Sequence, residues 1–186
     1  MKYSYEEYVH PYINNFSLIE IDDEYADKIS KLSMNIMFRK IMEDHHKKDY
    51  GMEHIRLKTG LMGEAALEKL LSINIIDWSV GDSRNYNTPD IDGYSIGIKT
   101  VEYGKFPIIL KNNKYSQIIC IKGIEPNNNK IVVCGLATPD VLNKYQDDEL
   151  ILSNNLRNRG VKTGFYGFQY LTPIKTIKDI QQYKIN

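Results

Sequence analysis

The spacing of the apolar residues changes once along the chain, near Asn74, and this change restricts the folds available to it. Before Asn74, apolar residues recur every three or four positions, as on one face of a helix; the clearest set is Tyr25, Ile29, Leu32 and Ile36. After Asn74, short runs rich in Ile and Val are separated by turn residues, as in strands. Helices followed by strands predict an α/β domain with a central mixed β-sheet flanked by helices.

Two helices are predicted before Asn74. The first begins at Asp22, which is a suitable N-cap, and runs to about His46. A charged loop at residues 47–51 separates it from a second helix, which we expect Thr59 to cap. The predicted buried face of this second helix consists of Gly63, Leu67, Leu70 and Leu71. Glu64 lies at the edge of that face, so we expect it to be partly buried.

The sheet is predicted to form after Asn74. Its strands are expected at residues 75–80, 89–101, 107–110, 117–121 and 130–134. The last two runs are nearly all apolar, which predicts central strands. Cys120 and Cys134 lie in these runs with no metal-ligand spacing around them, so we expect buried free thiols, as in a reducing cytoplasm.

The C-terminal part is predicted to add a helix, an extended segment and a final short helix. Thr138-Pro139-Asp140 combines a cap, a proline at the first helical position and an acid in the first turn, so a helix should run to about Tyr145. An extended aromatic segment follows at residues 163–170, and a short helix is expected after Thr176.

The composition is that of a globular domain without an overall excess of charge. Of the 186 residues, 42% are hydrophobic and 26% are charged, and 24 Lys and Arg balance 24 Asp and Glu. A nucleic-acid partner would therefore have to bind a local basic patch. The first residues lack the apolar stretch of a signal peptide, and no run is long enough to cross a bilayer. We expect a cytoplasmic protein that does not insert into a membrane.

Asp90 and Lys99 are the residues most suggestive of chemistry. Asp92-Gly93 is typical of a tight hairpin turn, which would place Asp90 in the strand paired with the one that carries Lys99. Side chains alternate along a strand, so Lys99 lies on the face opposite to Ile98, and cross-strand neighbours lie about 5 Å apart at Cβ. A carboxylate and a lysine close together suit the hydrolysis of a phosphodiester. The carboxylate can bind a divalent cation that activates a water, and the lysine can orient that water or stabilise the developing charge.

The stretch from Pro89-Asp90 to Ile98-Lys99 resembles the motif of the PD-(D/E)XK nuclease superfamily: Pro-Asp, a variable spacer, Asp or Glu, any residue, then Lys. The helix with Gly63-Glu64 is similar to the superfamily's first core helix, which often contributes a glutamate to the metal site. The resemblance implies a restriction-endonuclease-like fold and a DNA endonuclease that depends on Mg²⁺ or Mn²⁺. The resemblance covers roughly residues 55–150. We expect a single nuclease-like domain over residues 1–186, with an N-terminal helical region (1–50), the nuclease-like core (55–150) and a C-terminal strand and helix (151–186).

One position departs from the superfamily pattern, because Gly97 stands where the pattern has Asp or Glu. Glu64 is the first candidate to replace the missing carboxylate, Asp92 the second and Glu102 the third. The implied catalytic residues are Asp90, Lys99 and Glu64, and the implied metal ligands are Asp90, Glu64 and Asp92. Ordinary roles compete with these, since Asp92 suits a turn by itself and Glu64 could be a solvated helix residue.

A segment rich in cations, glycine and aromatic residues, 155–168, suggests a surface that touches phosphates and bases. The predicted DNA contacts are Arg157, Arg159, Lys162 and Lys105, with Lys111 as an extension. Phe165 and Phe168 are instead expected to be buried in a strand.

The sequence leaves more than one function open. Cutting both strands of a duplex would need a homodimer, for which the long first helix is the candidate interface. The main alternative is a binding or inhibitory protein that keeps the nuclease fold without catalysis, with Gly97 as the mark of that loss. A third is an interaction protein of unrelated fold.

Overall fold

The computed structural model of the protein describes residues 2–42, 50–79, 89–123 and 129–185. Its α-helices are α1 (Tyr5–Tyr8), α2 (Asp23–Met42), α3 (Tyr50–Leu71), α4 (Pro139–Lys144) and α5 (Asn154–Asn158). Its strands are β1 (Ser17–Glu20), β2 (Ile96–Glu102), β3 (Ile108–Leu110), β4 (Ser116–Lys122), β5 (Lys130–Ala137), β6 (Gln146–Asp147) and β7 (Lys162–Phe165). Short 3₁₀ helices cover His10–Asn15, Asp148–Leu150, Phe168–Tyr170 and Ile177–Tyr183.

The main sheet has four strands within the described ranges, in the order β1-β5-β4-β2. β2 runs parallel to β4, whereas β4 and β5 are antiparallel, as are β5 and β1. β4 and β5 are central, as their apolar sequences predict, and Cys120 and Cys134 on them are buried free thiols. A smaller sheet has the order β3-β7-β6. The protein is therefore an α/β fold with a mixed sheet flanked by helices, as predicted.

Helix α2 begins where the sequence predicts. Asp22 caps it by accepting a hydrogen bond from the Tyr25 backbone N–H at 2.8 Å. Ile29 and Leu32 are buried in the core between α2, α3 and the main sheet. The predicted continuation over residues 43–46 lies outside the described residues.

Helix α3 is longer than predicted. It begins at Tyr50, so Thr59 lies buried inside the helix instead of capping it, and part of the predicted loop at residues 47–51 is the first helical turn. Residues 50–58 contain no proline and include several strong helix formers, so they extend the helix on the N-terminal side of Thr59. At Gly63 the helix approaches β2 so closely that a Cβ would lie 1.8 Å from the Thr100 Oγ1. Glycine at this position therefore allows α3 to pack on β2.

The predicted strand at residues 75–80 is not formed in its described part. The backbone N–H groups of Ile75 and Ile76 donate to Glu68 Oε1 at 2.7 and 2.8 Å, and Glu68 Oε2 accepts from the Tyr25 hydroxyl at 2.6 Å. A carboxylate of α3 thus takes the hydrogen bonds that a neighbouring strand would supply. Residues 74–78 have no regular structure as a result.

The turn at Asp92-Gly93 forms, but the predicted hairpin does not. A backbone hydrogen bond of 3.0 Å closes the turn, and Gly93 has a φ of 73°. The described residues before the turn form no strand; the N–H of Ser95 donates to Tyr183 O, and the N–H of Ile185 donates to Gly93 O, both at 2.8 Å. The turn is therefore held by the C-terminal segment, and Asp90 reaches β2 through its side chain and not through strand pairing.

A second core lies on the other face of the main sheet, where Phe165 and Phe168 are both buried. Phe165 lies in a strand, as predicted, whereas Phe168 lies in a 3₁₀ helix and not in the predicted strand. Thr138 caps α4 by accepting from the Val141 N–H at 3.4 Å, and a 3₁₀ helix follows Thr176, also as predicted. The predicted extended segment ends earlier than expected, with β7. None of the helices in the described ranges is long and apolar enough to cross a membrane.

Candidate active site

Asp90 is held at the edge of β2 by a backbone hydrogen bond. β2 is the last strand of the main sheet within the described residues, so some of its N–H groups point away from β4. Asp90 Oδ2 accepts from the Ile98 N–H at 2.5 Å. The same oxygen lies 3.4 Å from the position that a Cβ on Gly97 would take. The Asp90 carboxylate therefore lies beside the position where the superfamily motif has its acidic residue.

Lys99 lies on the same face of β2 as Gly97, as the alternation of side chains predicts. Its side chain is half-buried. Burial lowers the pKa of Lys99, the charge of Lys162 lowers it further, and the charge of Asp90 raises it. Arg56 of α3 also lowers this pKa. The Lys99 ammonium group therefore lies within electrostatic reach of one carboxylate and two cations.

Glu64 of α3 is half-buried, as predicted from its place at the edge of the helix face. Burial and then the charges of Asp90 and Glu68 raise the pKa of Glu64 to about 8. Burial also raises the pKa of Asp90, against the opposing effects of the Ile98 N–H and the Lys99 charge. The fold thus brings Asp90 within electrostatic reach of both Glu64 and Lys99, and the exposed side of Asp90 keeps the site open to solvent.

The other acidic candidates occupy different positions. Asp92 is exposed at the turn, and Glu102 forms an ion pair with Lys105. The part of the chain that the structure describes contains no group of three or more His, Cys, Asp or Glu side chains placed to hold a metal ion. Asp90 is the carboxylate whose charge acts on Lys99, and Glu64 interacts with Asp90. A third metal ligand among the described residues would therefore have to be of another type.

Gln117 of β4 was not predicted as a site residue, yet it faces Gly97. The two residues are partners in the parallel register of β2 and β4. The Cδ and Nε2 of Gln117 both lie 3.7 Å from the position of a Cβ on Gly97, and its Oε1 is buried without a hydrogen-bond partner. Oxygen atoms of carboxylates and amides are the ligands that Mg²⁺ and similar cations prefer, so Asp90, Glu64 and Gln117 carry donor atoms of the type such an ion would use.

The predicted DNA contacts differ in the hydrogen bonds and ion pairs that their charged groups make. Lys162 is exposed, and its charge reaches the candidate catalytic lysine. Arg159 is exposed, whereas the Arg157 guanidinium donates to a backbone carbonyl at 2.6 Å. Lys105 and Lys111 are held in ion pairs with acidic side chains. Lys162 is therefore the predicted contact that the fold associates with the site.

Four residues make up the candidate site. Three of them, Asp90, Glu64 and Lys99, follow from the sequence, and the fourth, Gln117, becomes visible only in the fold. No protein-family model, curated protein or solved structure matches the chain.

Proposed function

We propose that the protein is a divalent-metal-dependent DNA endonuclease that hydrolyses phosphodiester bonds at Asp90, Glu64 and Lys99. The observation that carries the proposal is the position of the Asp90 carboxylate, which is fixed by the Ile98 N–H beside Gly97 and interacts with both Glu64 and Lys99. A carboxylate pair next to a half-buried lysine supplies the charges that phosphodiester hydrolysis needs.

Asp90 and Glu64 are the residues that would hold the cation. One oxygen of Asp90 is oriented by the Ile98 N–H, and its second oxygen, to which no hydrogen bond from the described residues is seen, would bind the cation. Burial and then the charges of Asp90 and Glu68 raise the pKa of Glu64, and a bound cation would oppose these effects by favouring its ionised form. Mg²⁺ or Mn²⁺ would supply neutralisation of the scissile phosphate and activation of a water.

Lys99 would act on the attacking water or on the charge that develops at the phosphate. Its pKa is lowered by burial and by neighbouring cations, which brings a larger fraction of the amine into the neutral form that can accept a proton. In its charged form the same group stabilises an anion. Lys162 and Arg56 add positive charge around it, as expected for a site that receives a polyanion.

The choice of DNA rests on the resemblance of Pro89-Asp90 and Lys99 to the nuclease motif. One such site faces one strand, so cleavage of both strands of a duplex requires two copies of the protein. An assay on supercoiled plasmid separates these cases, because a single site nicks the plasmid while a dimer linearises it. A parallel assay on RNA tests the choice of substrate.

The test is plasmid nicking with Mg²⁺ or Mn²⁺, compared between wild type, Lys99→Met and Lys122→Met. Lys122 is the matched control because it is also a half-buried lysine with a lowered pKa, at the end of the neighbouring strand β4. We expect Lys99→Met to lose cleavage by a factor of about 10² to 10⁴ and Lys122→Met to keep it. A wild type that binds DNA and never cleaves it with any divalent metal would support the alternative, a catalytically inactive nuclease-fold protein.

A further inference from the structure

We infer that the side-chain oxygen of Gln117 is the metal ligand that replaces the carboxylate absent from position 97. This inference rests on the proposed function, because it concerns the same site. The inferred ligand, Gln117, lies on β4, whereas the acidic residue of the nuclease motif would lie at position 97 on β2.

The register of the sheet brings Gln117 to the place of the missing acid. Residues that are partners in neighbouring strands lie about 4.8 Å apart and point to the same face. Gly97 and Gln117 are such partners, and Gly97 has no side chain to fill the space between them and Asp90. The Cδ and Nε2 of Gln117 each lie 3.7 Å from the position of a Cβ on Gly97, and Asp90 Oδ2 lies 3.4 Å from the same position. The Gln117 amide therefore lies next to the Asp90 carboxylate.

The orientation of the Gln117 amide follows from its neighbours. Asn113 Nδ2 donates to the Leu110 carbonyl at 2.5 Å, so the Oδ1 of Asn113 is the atom that faces Gln117. Gln117 Nε2 donates to this oxygen at 3.3 Å. The opposite atom of the amide, Oε1, must then point away from Asn113, and it is the atom that is buried without a hydrogen-bond partner.

A buried oxygen with no hydrogen-bond partner among the described residues is unusual, and in Gln117 it belongs to an amide that lies next to the Asp90 carboxylate, where a cation could bind it. Carbonyl oxygens of Asn and Gln bind hard divalent cations together with carboxylates. With Asp90 and Glu64, Gln117 would give a site with two negative charges and one neutral oxygen. Such a site should bind a divalent cation more weakly than one with three carboxylates, since the number of charged ligands tunes the affinity.

The test is Mn²⁺ binding without substrate, measured by calorimetry and by the electron paramagnetic resonance of the free ion. Gln117→Leu removes the oxygen and keeps the volume, and we expect at least about a ten-fold loss of affinity. Gln146→Leu is the matched control, because Gln146 also has a buried Oε1 without a partner but lies on β6. We expect its affinity to change by less than about two-fold. If Gln117→Leu does not fold, Gln117→Glu replaces it, and we expect tighter binding from the added charge.

Asp90→Asn in the same titration separates the failure of this inference from the failure of the proposed function. If Asp90→Asn loses Mn²⁺ binding while Gln117→Leu binds as the wild type does, the ligand role of Gln117 is wrong and the nuclease proposal survives. Binding by Gln117→Glu no tighter than by wild type would also count against it. A wild type that binds no Mn²⁺, or an Asp90→Asn variant with unchanged affinity, would overturn both.

Discussion

Replacing Glu64 by Gln tests the electrostatics of the site without any cleavage assay. The pKa of Glu64 in the folded protein is about 8 against an ordinary value of 4.5. Each pKa unit corresponds to about 1.36 kcal/mol, so this difference in pKa means that ionised Glu64 lowers the free energy of unfolding by at most about 5 kcal/mol. The side chain is only half-buried, so solvent screens part of this cost, and we expect about 2 kcal/mol.

The direction of the pH effect follows from the raised pKa. The unfolded chain loses the Glu64 proton near pH 4.5, whereas the folded protein keeps it until about pH 8. The folded state is therefore destabilised progressively as the pH rises from about 4.5 to about 8, and the loss is complete above that. Gln carries no charge at any pH. At about pH 8.5, Glu64→Gln should unfold roughly 4–8 °C above the wild type, with little difference near pH 4.5.

The measurement is thermal unfolding in EDTA, followed by circular dichroism and by the fluorescence of Trp78, the single tryptophan. Glu68→Gln is the control on the same helix; its carboxylate accepts three hydrogen bonds, so this variant should be less stable at both pH values. A Glu64→Gln variant that is no more stable than wild type at about pH 8.5 would refute the reasoning. Mn²⁺ in place of EDTA should stabilise the wild type against thermal unfolding and should have a smaller effect on Glu64→Gln.

Two further predictions concern packing and DNA binding. Gly63→Ala should lower the free energy of unfolding in urea by about 2 kcal/mol, because its Cβ would collide with Thr100. Gly60→Ala is the control: no described atom lies within 4 Å of the position of a Cβ there, so this variant should raise the free energy of unfolding by up to about 1 kcal/mol. Equal effects of the two substitutions would contradict the close packing of α3 on β2. Lys162→Ala should weaken DNA binding and reduce the salt dependence of log Kd by about 0.9, while Lys178→Ala, at an exposed position elsewhere, should change neither. A Lys162→Ala variant with an unchanged salt slope would exclude Lys162 as a phosphate contact.

Local patterns in the sequence predicted the elements whose hydrogen bonds are local or whose residues are strongly apolar. Asp22 caps α2 from an adjacent position, and the apolar runs around Cys120 and Cys134 form the two central strands. Alternation along β2 placed Lys99 on the face of Gly97. These features depend on a few neighbouring residues, so one sequence is enough to predict them.

The features that the sequence did not predict depend on contacts between distant segments. Of the strand expected at residues 75–80, the described residues 75–79 form none, because Glu68 accepts hydrogen bonds from two of their backbone N–H groups. The spacing of the apolar residues does not reveal these bonds. The hairpin expected at Asp92-Gly93 is replaced by bonds to the C-terminal segment. Gln117 meets Gly97 only through the register of two parallel strands, which the intervening chain does not specify.

The bonds between residues 93–95 and residues 183–185 make the turn next to Asp90 dependent on a segment that is synthesised much later than β2. Asp90 and β2 leave the ribosome well before Tyr183 and Ile185, whose backbone groups hold the turn next to Asp90. A nascent chain therefore lacks this support until the C-terminal segment emerges and folds back. If the protein is the nuclease proposed here, hydrolysis by a newly made chain would begin only after residues 183–185 have been synthesised and have bound residues 93–95.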